Sequence, residues 1–305
     1  GGDSGSSSGG SGGGSGGSAV VEVEVKEMGE EMEVKEEEEV KGGEKAIANA
    51  AKLESTREML RERGLKLPSY AAADLRAGLA KLKAVEGVAD GHADDNTLVW
   101  FLKDCALDVT EAAEKVAKYN AWRVENDYLD VTFASVEAEY GTGKALLLDA
   151  QDLLGRQVVS VTLTKHVIGE YPLSDTKCLT VHLLDEGLER IHAANAGAAE
   201  SEPEMPETVL AMFDLRGFGM ANADIDFLKF FIRCIFSYFP KRVSQVLLVD
   251  APFVFRPVWV VVKPMLGKYS GLVRFVSLAE AKEYFAAEDT ARVFGSGTKD
   301  DDDEY

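Results

Sequence analysis

Gly141-Thr142-Gly143-Lys144 comes closest to reactive machinery in this chain, because glycine amides ahead of a lysine can cradle a phosphate. A phosphate loop also needs a glycine five residues before its second glycine, and Ser or Thr after the lysine. Those positions hold Ala138 and Ala145, so the stretch reads as a turn leading into a strand. The four histidines, His92, His166, His182 and His192, show no metal-ligand spacing and read as surface or packing residues. Asp214 follows an apolar strand, where a carboxylate most often accepts hydrogen bonds from loop amides. No Gly-x-Ser-x-Gly occurs, and Cys105, Cys178 and Cys234 have no Cys-x-x-Cys spacing. Neither catalysis, a metal nor a cofactor is expected. Three cysteines within apolar patterns suit a reducing compartment.

The elements around these residues are unusually apolar. A helix expected over 222–238 carries Ile225, Phe227, Leu228, Phe230, Phe231, Ile232, Ile235 and Phe236. That exceeds the ~100° stripe of a one-sided surface helix, so it must be covered broadly, by protein or by ligand. Upstream, helices are expected over 44–63, 69–85, 94–104 and 110–127, with Asp94 or Asp95 capping the third and Thr110 the fourth. Strands over 145–149 and 157–163 flank a turn at 152–156, and a helix follows over 174–194. After an exposed loop at 195–207 come strands 208–214, 244–250 and 272–276 and a last helix over 278–287. Strands alternating with helices imply a mixed α/β sheet.

Four blocks then carry a resemblance. They are Phe213-Asp214-Leu215-Arg216-Gly217-Phe218, Tyr238-Phe239-Pro240-Lys241-Arg242, Val249-Asp250-Ala251-Pro252-Phe253-Val254-Phe255 and Lys263-Pro264-Met265-Leu266. In order and spacing they resemble the CRAL-TRIO lipid-binding family, which includes phosphatidylinositol-transfer, tocopherol-transfer and retinaldehyde-binding proteins. Thr97–Leu102, Leu107-Asp108-Val109 and Trp122-Arg123 resemble the small helical domain that precedes the lipid-binding domain there. The resemblance implies a helical N-terminal domain over 45–128 and a mixed-sheet α/β domain over 129–290 with a gated hydrophobic pocket. Its candidate walls are Phe213, Leu228, Phe231, Ile232, Leu248 and Phe253.

In that family the segment matching 255–266 is a short helix that swings to open the pocket. Phe255, Val258, Trp259, Val262 and Met265 are the candidate gate residues. Judged locally, the valines favour a strand. Pro257 suits the first turn of a helix and Lys263-Pro264 its end, and the helix is the reading adopted. Phe253, Phe255, Trp259 and Met265 are then placed to enter a bilayer shallowly, each worth about 1.5–3 kcal/mol when buried. Lys241, Arg242, Arg256, Lys263, Lys268 and Arg274 lie near the expected mouth and could attract anionic headgroups at about 1 kcal/mol each. Phosphoinositide-transferring members hold the inositol phosphate with an Arg, a Glu, a Thr and a Lys. The matching positions here are Cys105, Lys241, Ser270 and Val273, and only Ser270 keeps the chemistry. Another anionic lipid such as phosphatidic acid, or a neutral isoprenoid, stays open as ligand.

The charge of the 305-residue chain is −20, unevenly spread. Residues 1–44 hold twelve acidic residues against three lysines, following a Gly/Ser-rich start, and 299–305 are acidic again. Both ends, 1–44 and 291–305, are expected to be disordered. The overall acidity argues against nucleic acid as a partner. Asp250 and Arg256 interrupt the best apolar run, so no membrane-spanning helix is expected. The sequence points to an intracellular soluble protein that visits membranes and carries a phospholipid or other hydrophobic molecule. The alternative is a membrane-sensing adaptor whose acidic tails recruit a protein partner.

Overall fold

The computed structural model describes residues 47–88, 91–195 and 206–295. The expected tail over 1–44, residues 296–305 of the tail expected over 291–305, and most of the 195–207 loop lie outside the described residues; residues 291–294 of that second tail are helical, contrary to the disorder expected there. The chain divides into two compact units, 1–56 and 57–305. In the first, the described residues 47–56 are helical. The second opens on helical residues 57–63 and holds everything that follows.

Helices α1 (Ala72–Lys83), α2 (Asp95–Asp104) and α3 (Val109–Glu125) come first. Asp94 caps α2 by accepting from the Thr97 amide at 2.7 Å. Asp108, rather than the expected Thr110, caps α3, accepting from the amides of Thr110 (2.9 Å) and Glu111 (3.0 Å). A carboxylate can serve two of the unpaired amides at a helix start. Helix α4 (Phe133–Tyr140) was not foreseen. Its N-terminus is fixed by Ser135, whose hydroxyl accepts from the Thr132 amide at 3.1 Å and donates to the Thr132 carbonyl at 2.7 Å.

The sheet has five strands in sequence order: β1 (Ala145–Gln151), β2 (Gln157–Thr162), β3 (Val209–Asp214), β4 (Val243–Val249) and β5 (Val273–Val276). β1 and β2 are antiparallel, paired Ala145 to Val161, and the remaining neighbours are parallel. The run Val209-Leu210-Ala211-Met212-Phe213 is buried throughout, as a parallel strand covered on both faces requires. On one face Leu210, Met212, Leu247 and Val249 meet Leu60, Ala281, Tyr284 and Phe285. On the other Val209, Ala211, Phe213 and Leu248 meet Val181, Leu184 and Ile191 of α5 (Leu173–Asn195), together with the elements of the site described below.

Two expected helices are broken. The one over 222–238 is a short 3-10 turn at Met220–Asn222, helix α6 (Ile225–Arg233) and a π-helical turn at Cys234–Tyr238. The Phe239 amide donates five residues back to the Cys234 carbonyl at 3.0 Å. This widened turn lets Tyr238 stack on Trp122 of α3 at 4.0 Å between centroids. The helix over 278–287 is split into α8 (Leu278–Lys282) and α9 (Ala287–Phe294), and α7 (Arg256–Leu266) precedes them. A Ser277–Glu280 capping box starts α8, and those hydrogen bonds hold the Glu280 carboxyl below its usual range.

A register shift between Val209 and Leu210 leaves Ser244 of β4 outside the ladder, and a buried polar cluster settles around it. Arg156 donates through Nε to Asp152 at 2.8 Å, and through its terminal nitrogens to Ser244 Oγ and Gln245 Oε1, each at 3.1 Å. Arg156 and Asp152 are both buried. Removing the guanidinium alone would strand the Asp152 charge, a change that typically costs about 3–5 kcal/mol. Arg156→Ala is expected to lower the urea midpoint accordingly with the m-value unchanged; a shift below about 1 kcal/mol would contradict this account.

Candidate functional site: a covered apolar cavity

Helix α7 (Arg256–Leu266) shows why its valines do not make a strand. Val258, Val262 and Leu266, four residues apart, are buried, whereas Val260 and Val261 are exposed. In a strand Val258, Val260 and Val262 would share a face. Here Val260 is 70% exposed while Val258 is 3% exposed, so the period is helical. Pro257 opens the helix where its missing N–H costs nothing. The expected stop at Lys263-Pro264 is not observed: Pro264 lies inside the helix, which runs on to Leu266 and ends at Gly267 with φ 52°.

Beneath α7 lies a cavity of about 90 Å³. Its walls come from β3 and β4 (Phe213, Leu248), from α6 (Leu228, Phe231, Ile232) and from the cover itself (Phe255, Val258, Trp259, Val262). These nine residues expected as wall or gate are therefore brought together. Phe253 is not among them. It is 76% exposed, on the outside beside Arg256, whose guanidinium sits 4.4 Å from its ring centre. The Pro252-led 3-10 turn at Phe253–Phe255 sends the two phenylalanines in opposite directions, Phe255 inward and Phe253 outward. Met265 is on the outer face of α7.

Sequence reasoning missed Phe218, Phe227, Ile235 and Leu266 as lining residues. It also missed the cavity's polar fringe, His166, Asn222 and Asp224. A smaller void of about 60 Å³ adjoins the first, sharing Leu163, His166, Phe213, Phe227 and Phe231 with it. Lys144, Thr176, Val159 and Ala211 are among the residues that complete its wall. Lys144 is ion-paired with Glu139, and both are buried. Thr176 donates to Glu139 Oε1 at 2.5 Å. His166 Nδ1 lies 3.5 Å from Lys144 Nζ, and its Nε2 lies 3.4 Å from Asp224 Oδ2. Asp224 Oδ1 accepts from the Phe227 amide at 2.8 Å and so caps α6.

The expected headgroup cations separate into two groups. Lys241 is ion-paired with Asp104 at 2.9 Å, and Lys115 joins the same carboxylate, which these partners hold below its usual range although burial opposes them. Arg242 is 3% exposed, lies 3.5 Å over the Trp100 ring and donates to the Glu207 carbonyl at 3.0 Å. Burial pushes its guanidinium down to about 9. Both residues brace the helical region against the start of β4, so neither is a surface contact for headgroups. Arg256, Lys263, Lys268 and Arg274 are exposed around α7, and Ser270 is half-buried in the turn that follows it.

Asp214 accepts from the Arg216 amide at 3.0 Å and from its guanidinium at 2.6 Å, a loop-holding role. Cys105, Cys178 and Cys234 are free, and burial raises each thiol, Cys105 to about 11. Among the described residues no group of His, Cys, Asp and Glu is arranged to hold a metal, and no helix is long and apolar enough to cross a membrane.

The family model of the CRAL/TRIO domain matches residues 141–286, the span that holds the sheet, both voids and α7. This chain carries a CRAL/TRIO domain. Over 208 residues it is 24% identical to the phosphatidylinositol transfer protein CSR1 of Eremothecium gossypii, covering 64% of this chain and 45% of that protein. Over 182 residues it is 25% identical to a CRAL-TRIO domain-containing protein of Schizosaccharomyces pombe, covering 56% of this chain and 38% of the relative. The chain thus spans less than half the length of these relatives. The crystal structure of Sfh5 superposes with a TM-score of 0.53 at 15% identity, over 68% of this chain and 82% of that one, a likeness of fold.

Buried His166 and half-buried His192 make folding sensitive to acid. Burial lowers the His166 pKa, the Lys144 ammonium adds to this, and Asp224 opposes it. Burial and Arg242 likewise lower that of His192. Each binds fewer protons folded than unfolded, so its stabilisation is complete above the ordinary value of 6.5 and drains away as the pH falls below it. The urea midpoint is expected to drop between about pH 7 and about pH 5, and His166→Gln with His192→Gln to flatten the drop. An equally steep fall in the double variant would contradict the assignment.

Proposed function

We propose that this CRAL/TRIO domain binds a single lipid between β3, β4, α6 and α7 and carries it between membranes, with α7 as the movable cover. The observation that carries the reading is the apolar void beneath a short helix that is apolar on both faces. Val258 and Val262 close the void, while Val260, Val261 and Met265 are exposed on the other side. The void of about 90 Å³ is well below the roughly 300–1,000 Å³ of ordinary ligand sites, so a lipid enters by displacing α7. The chain works as a carrier and not as a catalyst.

The outer face supports reversible membrane contact. Phe253, Val260, Val261, Met265 and Phe275 are exposed together with Arg256, Lys263, Lys268 and Arg274, while the chain as a whole is strongly acidic. Shallow insertion of such side chains is worth about 1.5–3 kcal/mol each, enough to dock and little enough to leave. Basic residues on an acidic protein orient that face toward an anionic surface.

Transfer of labelled lipid from donor to acceptor vesicles tests the reading. The protein is expected to accelerate exchange of at least one lipid class, and no acceleration for any class would remove it. Ile232→Trp fills the void and is expected to cut transfer by about tenfold or more. Phe253→Asp with Val260→Asp is expected to weaken vesicle binding by about tenfold or more while leaving stability unchanged, since both residues are already in water. Unchanged vesicle binding in that variant would put the membrane face elsewhere.

A further inference from the structure

Apart from Thr180, whose hydroxyl donates to the Thr176 carbonyl, the polar lining of the smaller void is Lys144, His166 and Thr176, each more than nine-tenths buried. Lys144 is already neutralised by Glu139, which is itself buried. The Lys144 ammonium carries only protons, so the His166 Nδ1 atom facing it must present its lone pair. A neutral imidazole protonated on Nε2, toward Asp224, is the form that suits both neighbours. The set therefore holds one cation against two carboxylates, Glu139 and Asp224, inside a low-dielectric wall. A phosphate placed there would add like charge without an unpaired cation to meet it.

The same groups have hydrogen-bonding capacity left over. Lys144 makes one close contact, to Glu139, and its contacts to Thr176 Oγ1 and His166 Nδ1 are long, at 3.4 and 3.5 Å. Glu139 Oε2 is buried with no partner at all. An ammonium whose contacts to Thr176 and His166 are long enough to be exchanged for a closer one, and a hydroxyl oxygen with a free lone pair, match a group that both accepts and donates. Within about 60 Å³ there is room for a hydroxyl on a few carbons rather than a phosphodiester headgroup.

We infer that the cargo is an uncharged lipid alcohol, its hydroxyl held by Lys144 and Thr176 beside a neutral His166, and its hydrocarbon running past Phe213, Phe227 and Phe231 toward α7. This deepens the lipid-carrier reading and rests on it. The two voids meet at those three phenylalanines, which gives the cargo its direction: polar end innermost, tail under the cover.

The test incubates the full chain with vesicles holding equal amounts of a sterol, a long-chain isoprenoid alcohol, diacylglycerol, phosphatidylcholine, phosphatidylinositol and phosphatidic acid. The protein is then re-isolated and its bound lipid quantified by mass spectrometry. Uncharged alcohols are expected to exceed each phospholipid by about tenfold or more, and Lys144→Met to reduce that preference by a similar factor. Lys144→Met with Glu139→Leu removes the pair together and serves if the single variant does not fold, with the same loss expected. A phospholipid as the main bound species, or an undiminished preference in the folded variant, overturns this inference and leaves the carrier reading standing. No bound lipid of any class removes both.

Discussion

Everything in this structure follows from the burial of β3 and β4 on both faces. Strands with no polar face need a cover on each side, and the two covers are of different kinds. The Leu60–Tyr284–Phe285 side is filled by large side chains, and its polar cluster around Arg156 completes its hydrogen bonds within itself. The other side is roofed by α5, α6 and α7, and aromatic side chains of α6 and α7 meet those of the sheet edge-on beside the vacant space. Phe213 and Phe231 cross at 79° with 5.7 Å between centroids, and Trp259 and Phe275 at 86° and 5.0 Å. One face is a conventional core and the other is a core with vacant space, which in a close-packed interior is costly unless something occupies it.

Within the roof, α7 is held less firmly than α5. Helix α7 contains a proline, which removes one of its backbone hydrogen bonds, and a glycine with positive φ ends it. It turns Val258, Val262 and Leu266 inward and sets Trp259 against Phe275 of β5, whereas α5 is twice as long and is tied down by the bidentate Arg123–Asp185 pair at 2.7 and 2.5 Å. It is on this asymmetry that the proposed opening at α7 rests.

The fold was largely legible in the sequence because its signals are local. The unbroken apolar run of β3, the broad greasy face of α6 and the prolines bounding the valine segment each report on their own neighbourhood. So did the walls: Leu228, Phe231 and Ile232 follow helical spacing, and Phe213 and Leu248 point the same way from adjacent strands. What depends on distant partners was not legible. Lys241 and Arg242 lie beside a run of surface cations, and only the packing against Asp104 and Trp100, more than a hundred residues away, draws them inside. His166 was read as a surface or packing residue because Lys144 and Asp224, which its two ring nitrogens face, lie 22 and 58 residues away. Lys144 itself was dismissed along with a failed phosphate-loop match, although the turn that defeats the match delivers it to the void.

Native mass spectrometry of the intact chain after exposure to mixed-lipid vesicles tests the central claim most directly. A domain whose second face is a covered vacancy should emerge heavier than its polypeptide by the mass of one lipid molecule. A chain that keeps the mass of the polypeptide alone, whatever lipids it has met, would show that the space beneath α7 is a packing defect and not a binding site.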